Sequence, residues 1–138
     1  MKFPLTLEID ETGVLAGCPD IPEMHSVGES VADAIREAYD GLESAIEIYF
    51  DCRRPVPAPS RPVPGQHTVD IPALLAAKIL LHNEMLAQGI KKAELARRLN
   101  IAPPNVERIF RAGHKTRFET VEAALASLGR HIEISIAS

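Results

Sequence analysis

The chain has 138 residues, 46 % of them hydrophobic, with a formal net charge of −4, enough apolar material for one domain or two small ones. No run approaches the roughly 20 apolar residues that a membrane-spanning helix needs, so membrane contact is excluded from the reading. The charge is divided unevenly: residues 1–64 hold five Lys/Arg against twelve Asp/Glu, a net −7, and residues 65–138 hold ten against seven, a net +3.

The first nine residues alternate, with Phe3, Leu5, Leu7 and Ile9 on one side and Lys2, Thr6 and Glu8 on the other, which is the period of a half-buried strand. A turn over residues 10–13 lets residues 14–18 return as a second strand and residues 24–27 as a short third. Pro19 and Pro22 confine the chain between them to an irregular connection, and the whole reads as an antiparallel meander. Ser30, with Asp33 three residues on, forms a helix N-cap. It opens a run whose apolar positions Val31, Ala34, Ile35, Ala38, Leu42, Ala45, Ile46 and Tyr49 have helical spacing. Asp33, Arg36, Glu37, Asp40, Glu43 and Glu47 are left on an acidic outer face.

Five of the thirteen residues 53–65 are proline, which predicts an extended, semi-rigid spacer; a proline-motif docking site is the alternative. Residues 67–71 then predict a short strand, and Pro72 suits the first turn of a helix that runs to about Ala87 and stops at Gly89. Leu74, Leu75, Ile79, Leu81, Met85 and Leu86 cover more than one stripe of that helix, so two buried sides are expected, one of them a candidate subunit contact. At the far end Ile132, Ile134 and Ile136 alternate with Glu133 and Ser135, predicting a last strand that pairs with the His67 segment. Two such short strands are marginal alone and gain from pairing with a second copy.

Residues 90–110 carry the functional argument. Leu95, Leu99, Val106, Ile109 and Phe110 can meet between two short helices, and Ala96 is small enough to let the second helix approach closely. Asn100 fits a turn that needs positive φ, and Pro103 and Pro104 fit a first helical turn, where missing N–H groups cost little. A further helix over residues 118–128, ended by Gly129, closes the unit. This pattern resembles the helix-turn-helix of the Xre/Cro repressor class over roughly residues 71–129. A plain helical bundle is the alternative, but Lys91, Lys92, Arg97, Arg98, Arg108, Arg111, Lys115 and Arg117 cluster around the unit.

The resemblance implies that residues 102–111 form a recognition helix in the major groove, with Arg108 able to fork onto a guanine and Asn105 reading adenine or holding a phosphate. Lys92, Arg111 and Lys115 are then phosphate contacts. The class often has Gln or Ser where this chain has Pro103 and Pro104, which narrows base reading there to apolar contact with a thymine methyl.

The full order adds a second resemblance. A small ββ(β)α unit containing Val27-Gly28-Glu29-Ser30-Val31-Ala32-Asp33-Ala34, a proline-rich link and a Xre-type unit together resemble the HicB antitoxin family over nearly all of the chain. The fold class expected is α+β. A degraded RNase H-like domain (residues 1–52) binds the toxin, a proline-rich linker (53–65) follows, and an all-α helix-turn-helix domain flanked by short strands (66–138) binds DNA and dimerises. The resemblance implies a partner, a small basic HicA-type mRNA-cleaving toxin, and repression of the chain's own operon as a homodimer or tetramer on operator double-stranded DNA. A stand-alone Xre-type regulator with an N-terminal ligand-sensing domain is the alternative.

Catalysis is not expected. A metal-dependent nuclease would need carboxylates converging on two ions roughly 4 Å apart. Asp10, Glu43, Glu47 and Asp51 are candidates, but Asp10 lies at a turn and the two glutamates, one helical turn apart, lie on the outer face. The histidines show no ligand spacing and no Gly-rich phosphate loop occurs, so no cofactor or metal is expected. Cys18 and Cys52 are read as reduced and structural in a cytoplasmic protein, since the N-terminus enters a strand pattern at once rather than a signal peptide.

Overall fold

The computed structural model describes residues 1–137. The N-terminal alternation is interrupted once, at Leu5, giving β1 (Lys2–Pro4) and β2 (Thr6–Asp10). Asp10 builds the turn that follows: its carboxylate accepts from the Thr12 backbone N–H at 2.7 Å and from the Thr12 hydroxyl at 2.6 Å. The chain returns as β3 (Gly13–Gly17) and, after an irregular connection that buries Cys18, Ile21 and Met24, as β4 (His25–Gly28). The three strands form an antiparallel sheet in the order β2-β3-β4, with Leu7 opposite Ala16 and Leu15 opposite Val27.

Helix α1 (Val31–Asp51) lies across this sheet. Its N-terminus is fixed reciprocally: the Ser30 hydroxyl accepts from Asp33 N–H at 3.1 Å, while the Asp33 carboxylate accepts from Glu29 N–H at 2.9 Å. The buried stripe Ala34, Ala38, Leu42, Ala45, Ile46, Tyr49 and Phe50 follows the helical period. Close approach is built in at Gly28, where any Cβ would strike the backbone of Asp33 and Ala34. Opposed residues share a face, so Val14 and Ala16 point under the helix, and Leu15 and Val27 face away. Ile9 departs from the expected inward alternation and is 69 % exposed, because α1 covers β3 and β4 and leaves the edge strand β2 bare.

The proline-rich residues 53–65 do not stand away from the body as a spacer. Val56 is buried, its N–H donates to Asn83 Oδ1 at 2.8 Å, and its carbonyl accepts from Asn83 Nδ2 at 2.9 Å. Arg54 O meets His82 Nε2 at 2.7 Å, and the Asp20 carboxylate accepts from Ser60 N–H at 2.8 Å. Burying a valine contributes about 1.5–3 kcal/mol, enough to hold down a chain that proline already keeps extended.

Strand β5 (Thr68–Asp70) forms where expected but with another partner. It pairs antiparallel with β1, Phe3 opposite Val69, rather than with the C-terminal segment. The register puts buried Phe3 and Val69 on one face over α1, a gain that the isoleucines beyond Gly129 cannot match from their position. Residues 130–137 carry no regular secondary structure, so the second flanking strand is absent from the described chain.

Helix α2 (Ala73–Gln88) runs through the middle of the molecule and ends at Gly89, whose φ of 69° gives the left-handed cap. Leu75, Ala77, Ile79, Leu81 and Met85 are buried on more than one side, while Leu80 is left 50 % exposed. Helix α5 (Phe118–Ser127) packs on it, and α3 (Lys92–Leu99) packs on α5 and on α4 (Pro103–Ile109). Phe50 of α1, His82 of α2 and Phe110 after α4 form one aromatic cluster, with ring centroids 4.9 Å apart for Phe50–His82 and 5.9 Å for the edge-on Phe50–Phe110 pair. The hydrophobic core is therefore continuous from the sheet to α5.

Candidate nucleic-acid interface

Two short helices and the loop after them carry Lys92, Arg97, Arg98, Arg108, Arg111, Lys115 and Arg117. In α3, Leu95 and Ala96 are buried, and Arg97 and Arg98 both reach back to Glu94, at 2.6 Å and 3.2 Å. Those hydrogen bonds, Arg97's first, hold the Glu94 carboxyl below its ordinary range. Asn100 ends α3 at φ 52°, in the left-handed conformation that Asn tolerates, and turns the chain into α4. Val106, Ile109 and Phe110 then pack inward, leaving Pro103, Pro104, Asn105, Glu107 and Arg108 at the surface. Within α4, Arg108 Nη1 donates to Asn105 Oδ1 at 2.7 Å.

The loop between α4 and α5 is gripped from below by side chains of α1 and α2. Lys78 is fully buried, and its ammonium donates to Arg111 O at 2.8 Å and to His114 O at 2.7 Å. Burial pushes Lys78 down to about 8, against the upward pull of Glu43 and Glu47 nearby. From α1, Glu47 Oε1 accepts the Ala112 N–H at 2.9 Å, and the Glu43 carboxylate lies against Gly113, where a Cβ would collide with it. Glu43 and Glu47 thus do not face solvent alone; they hold a loop of the other half. Asp10 is engaged with Thr12, and among the described residues no three His, Cys, Asp or Glu side chains gather as a metal site.

Of the six residues singled out from the sequence, Asn105, Arg108 and Lys115 line one cleft of about 480 Å³ beside α4, together with Arg117 and Thr120. Among the described residues lining it there is no carboxylate. Pro103 opens the same helix, at its first position. Lys92 lies apart: its ammonium pairs with Glu107 at 3.0 Å and sits 5.4 Å from the Phe110 ring centroid. Arg111 is exposed but does not line the cleft. Lys78, Glu43 and Glu47 escaped sequence reasoning as positioning groups. The signal for Lys78 was there, a single charge within the otherwise uncharged residues 71–83.

A family profile described as "HicB_like antitoxin of bacterial toxin-antitoxin system" matches residues 2–80, more than half of the chain. The chain belongs to the HicB-like antitoxins. The similarity to curated proteins runs past that segment and through α3 to α5. "Antitoxin HicB 2" of Photorhabdus laumondii is 41 % identical over 134 residues, spanning 97 % of this chain and 95 % of that protein. "Antitoxin HicB" of Pseudomonas fluorescens is 41 % identical over 142 residues, 99 % and 95 % of the two chains. "Antitoxin HicB" of Escherichia coli strain K12 is 34 % identical over 135 residues, 97 % and 98 %. This HicB-like chain is accordingly an antitoxin of a toxin-antitoxin system and not an enzyme. None of its described helices is long and apolar enough to cross a membrane.

Proposed function

We propose that this antitoxin neutralises a small basic HicA-type mRNA-cleaving toxin through residues 1–52 and represses its own operon in the cytoplasm by binding operator DNA through residues 66–138. In this reading α3 and α4 are a Xre/Cro-type helix-turn-helix, and the β-strand and helix order of the first half is a reduced RNase H-like fold. The observation that carries the DNA half is the cleft beside α4, where Asn105, Arg108, Lys115 and Arg117 converge at the surface without a carboxylate. A core has no use for that arrangement, whereas a polyanion does. Arg108, held by Asn105, is presented for a guanine edge, Pro103 for a thymine methyl, and Lys115 and Arg111 for flanking phosphates. Lys92 exchanges Glu107 for a phosphate on binding. Two copies related by a two-fold axis would read half-sites roughly 34–36 Å apart.

The toxin half is supported by the −7 charge of residues 1–64, which favours a basic partner through long-range steering. Co-expression with a small basic HicA-type toxin encoded beside it tests this: growth should be restored and the two should co-purify, and failure of any complex to form ends this reading. For DNA, fluorescence anisotropy with the chain's own promoter and a scrambled duplex of equal length should separate the two. Equal affinity for both would sink operator recognition.

A further inference from the structure

The C-terminal segment is strand-like in sequence yet unpaired among the described residues. Its start is fixed: Arg130 N–H donates to Leu125 O at 3.0 Å, and the Arg130 guanidinium lies 3.7 Å from Glu84. From there Ile132 packs partly against the core, while Ile134 and Ile136 are 79 % and 98 % exposed. Among the described residues none of 131–137 makes a backbone–backbone hydrogen bond, and β5 pairs with β1 instead of with this segment. An exposed segment with free N–H and C=O groups and an apolar row is a template for another strand. Beside it lies a groove of about 180 Å³ in which Leu80, Leu125 and Ile132 alternate with Glu84, Arg130 and Glu133, a mixed surface that reaches onto α2.

We infer that this segment pairs with its own copy in a second molecule, antiparallel and centred on Ile134, forming a two-stranded ribbon across the dimer axis. The inference rests on the homodimer of the proposed function and names the surface that makes it. The sequence is self-complementary in that register. Ile134 faces Ile134, Ile132 faces Ile136, and Glu133 faces Ser135, so isoleucines fill one face and no two carboxylates are opposed. A shift by one residue would set isoleucine against Glu133 or Ser135 and divide the apolar row between faces. The contact is isologous, closes on itself, and leaves the cleft beside α4 outside the ribbon.

Sedimentation equilibrium of the full chain without DNA tests the pairing. The wild type should run at twice its 15.0 kDa chain mass at micromolar concentration, and Ile134→Asp, which opposes two carboxylates on the axis, at the single chain mass with unchanged far-UV circular dichroism. A monomeric wild type, or an Ile134→Asp dimer, overturns it. The register has its own readout in a Cys52→Ser background: Ile134→Cys should cross-link to itself under mild oxidation, and Glu133→Cys should not. Equal cross-linking of the two overturns the register. A wild-type dimer that ignores operator DNA would defeat the DNA-binding reading and leave this one standing.

Discussion

Lys78 makes the stability of this antitoxin depend on alkaline pH in an unusual direction. Its ammonium is buried beneath the α4–α5 loop, with burial lowering it to about 8 from an ordinary 10.5. Below that value the side chain is protonated both folded and unfolded, and pH has no purchase through it. Between about 8 and 10.5 the unfolded chain keeps a proton that the folded chain has released, so stability rises with pH. At about 1.36 kcal/mol per unit, the gain from pH 7 to pH 10 comes to about 2.5 kcal/mol. Urea unfolding followed by circular dichroism, on wild type and Lys78→Met in parallel, isolates it from other groups that titrate in the same range. The stability difference between the two proteins should move in favour of the wild type by about that amount over the interval. A difference that stays constant with pH would refute the burial argument.

Arg108→Ala should weaken operator binding by about 1–3 kcal/mol, the typical value of a bidentate guanine contact, and relax preference at one base pair in a competition assay. Lys92→Ala, which breaks a half-exposed pair with Glu107, should change folding stability by less than about 1 kcal/mol. It should weaken every duplex alike and lower the salt slope by about 1; a base-selective effect would contradict the phosphate role. Gly28→Ala drives a methyl into the backbone of Asp33 and Ala34, and should cost about 1–3 kcal/mol or more in a thermal melt. A melting temperature within a degree of wild type would show that β4 and α1 can part there.

Local signals made most of the architecture legible. α1 was readable because its cap at Ser30 and its apolar period both lie within the helix, and α3 and α4 because Asn100 and the two prolines mark a turn by their backbone chemistry. Pairing is a non-local matter, and there the reading failed. Nothing in residues 68–70 says whether Phe3 or Ile134 will lie opposite Val69, since both offer an apolar row. The alternation at Ile9 was real, but exposure depends on how far α1 reaches across the sheet, which spacing does not report. Within the candidate interface, Arg108, Asn105 and Lys115 could be named from the pattern. Glu43 and Glu47 could not, because a carboxylate on an outer helical face looks the same whether water or the Ala112 amide meets it.

That last contact ties the two ends of the molecule to one another. Ala112 N–H is partly buried and has Glu47 as its acceptor, so a cationic partner that draws Glu47 to itself strips the amide of its mate and slackens the segment following Arg111. Linkage would then run both ways: a duplex that stiffened that segment, as the proposed function has it, would retain Glu47 and make it less available to a partner on α1. Under the proposed function, occupancy at one end would thus be felt at the other through this one carboxylate.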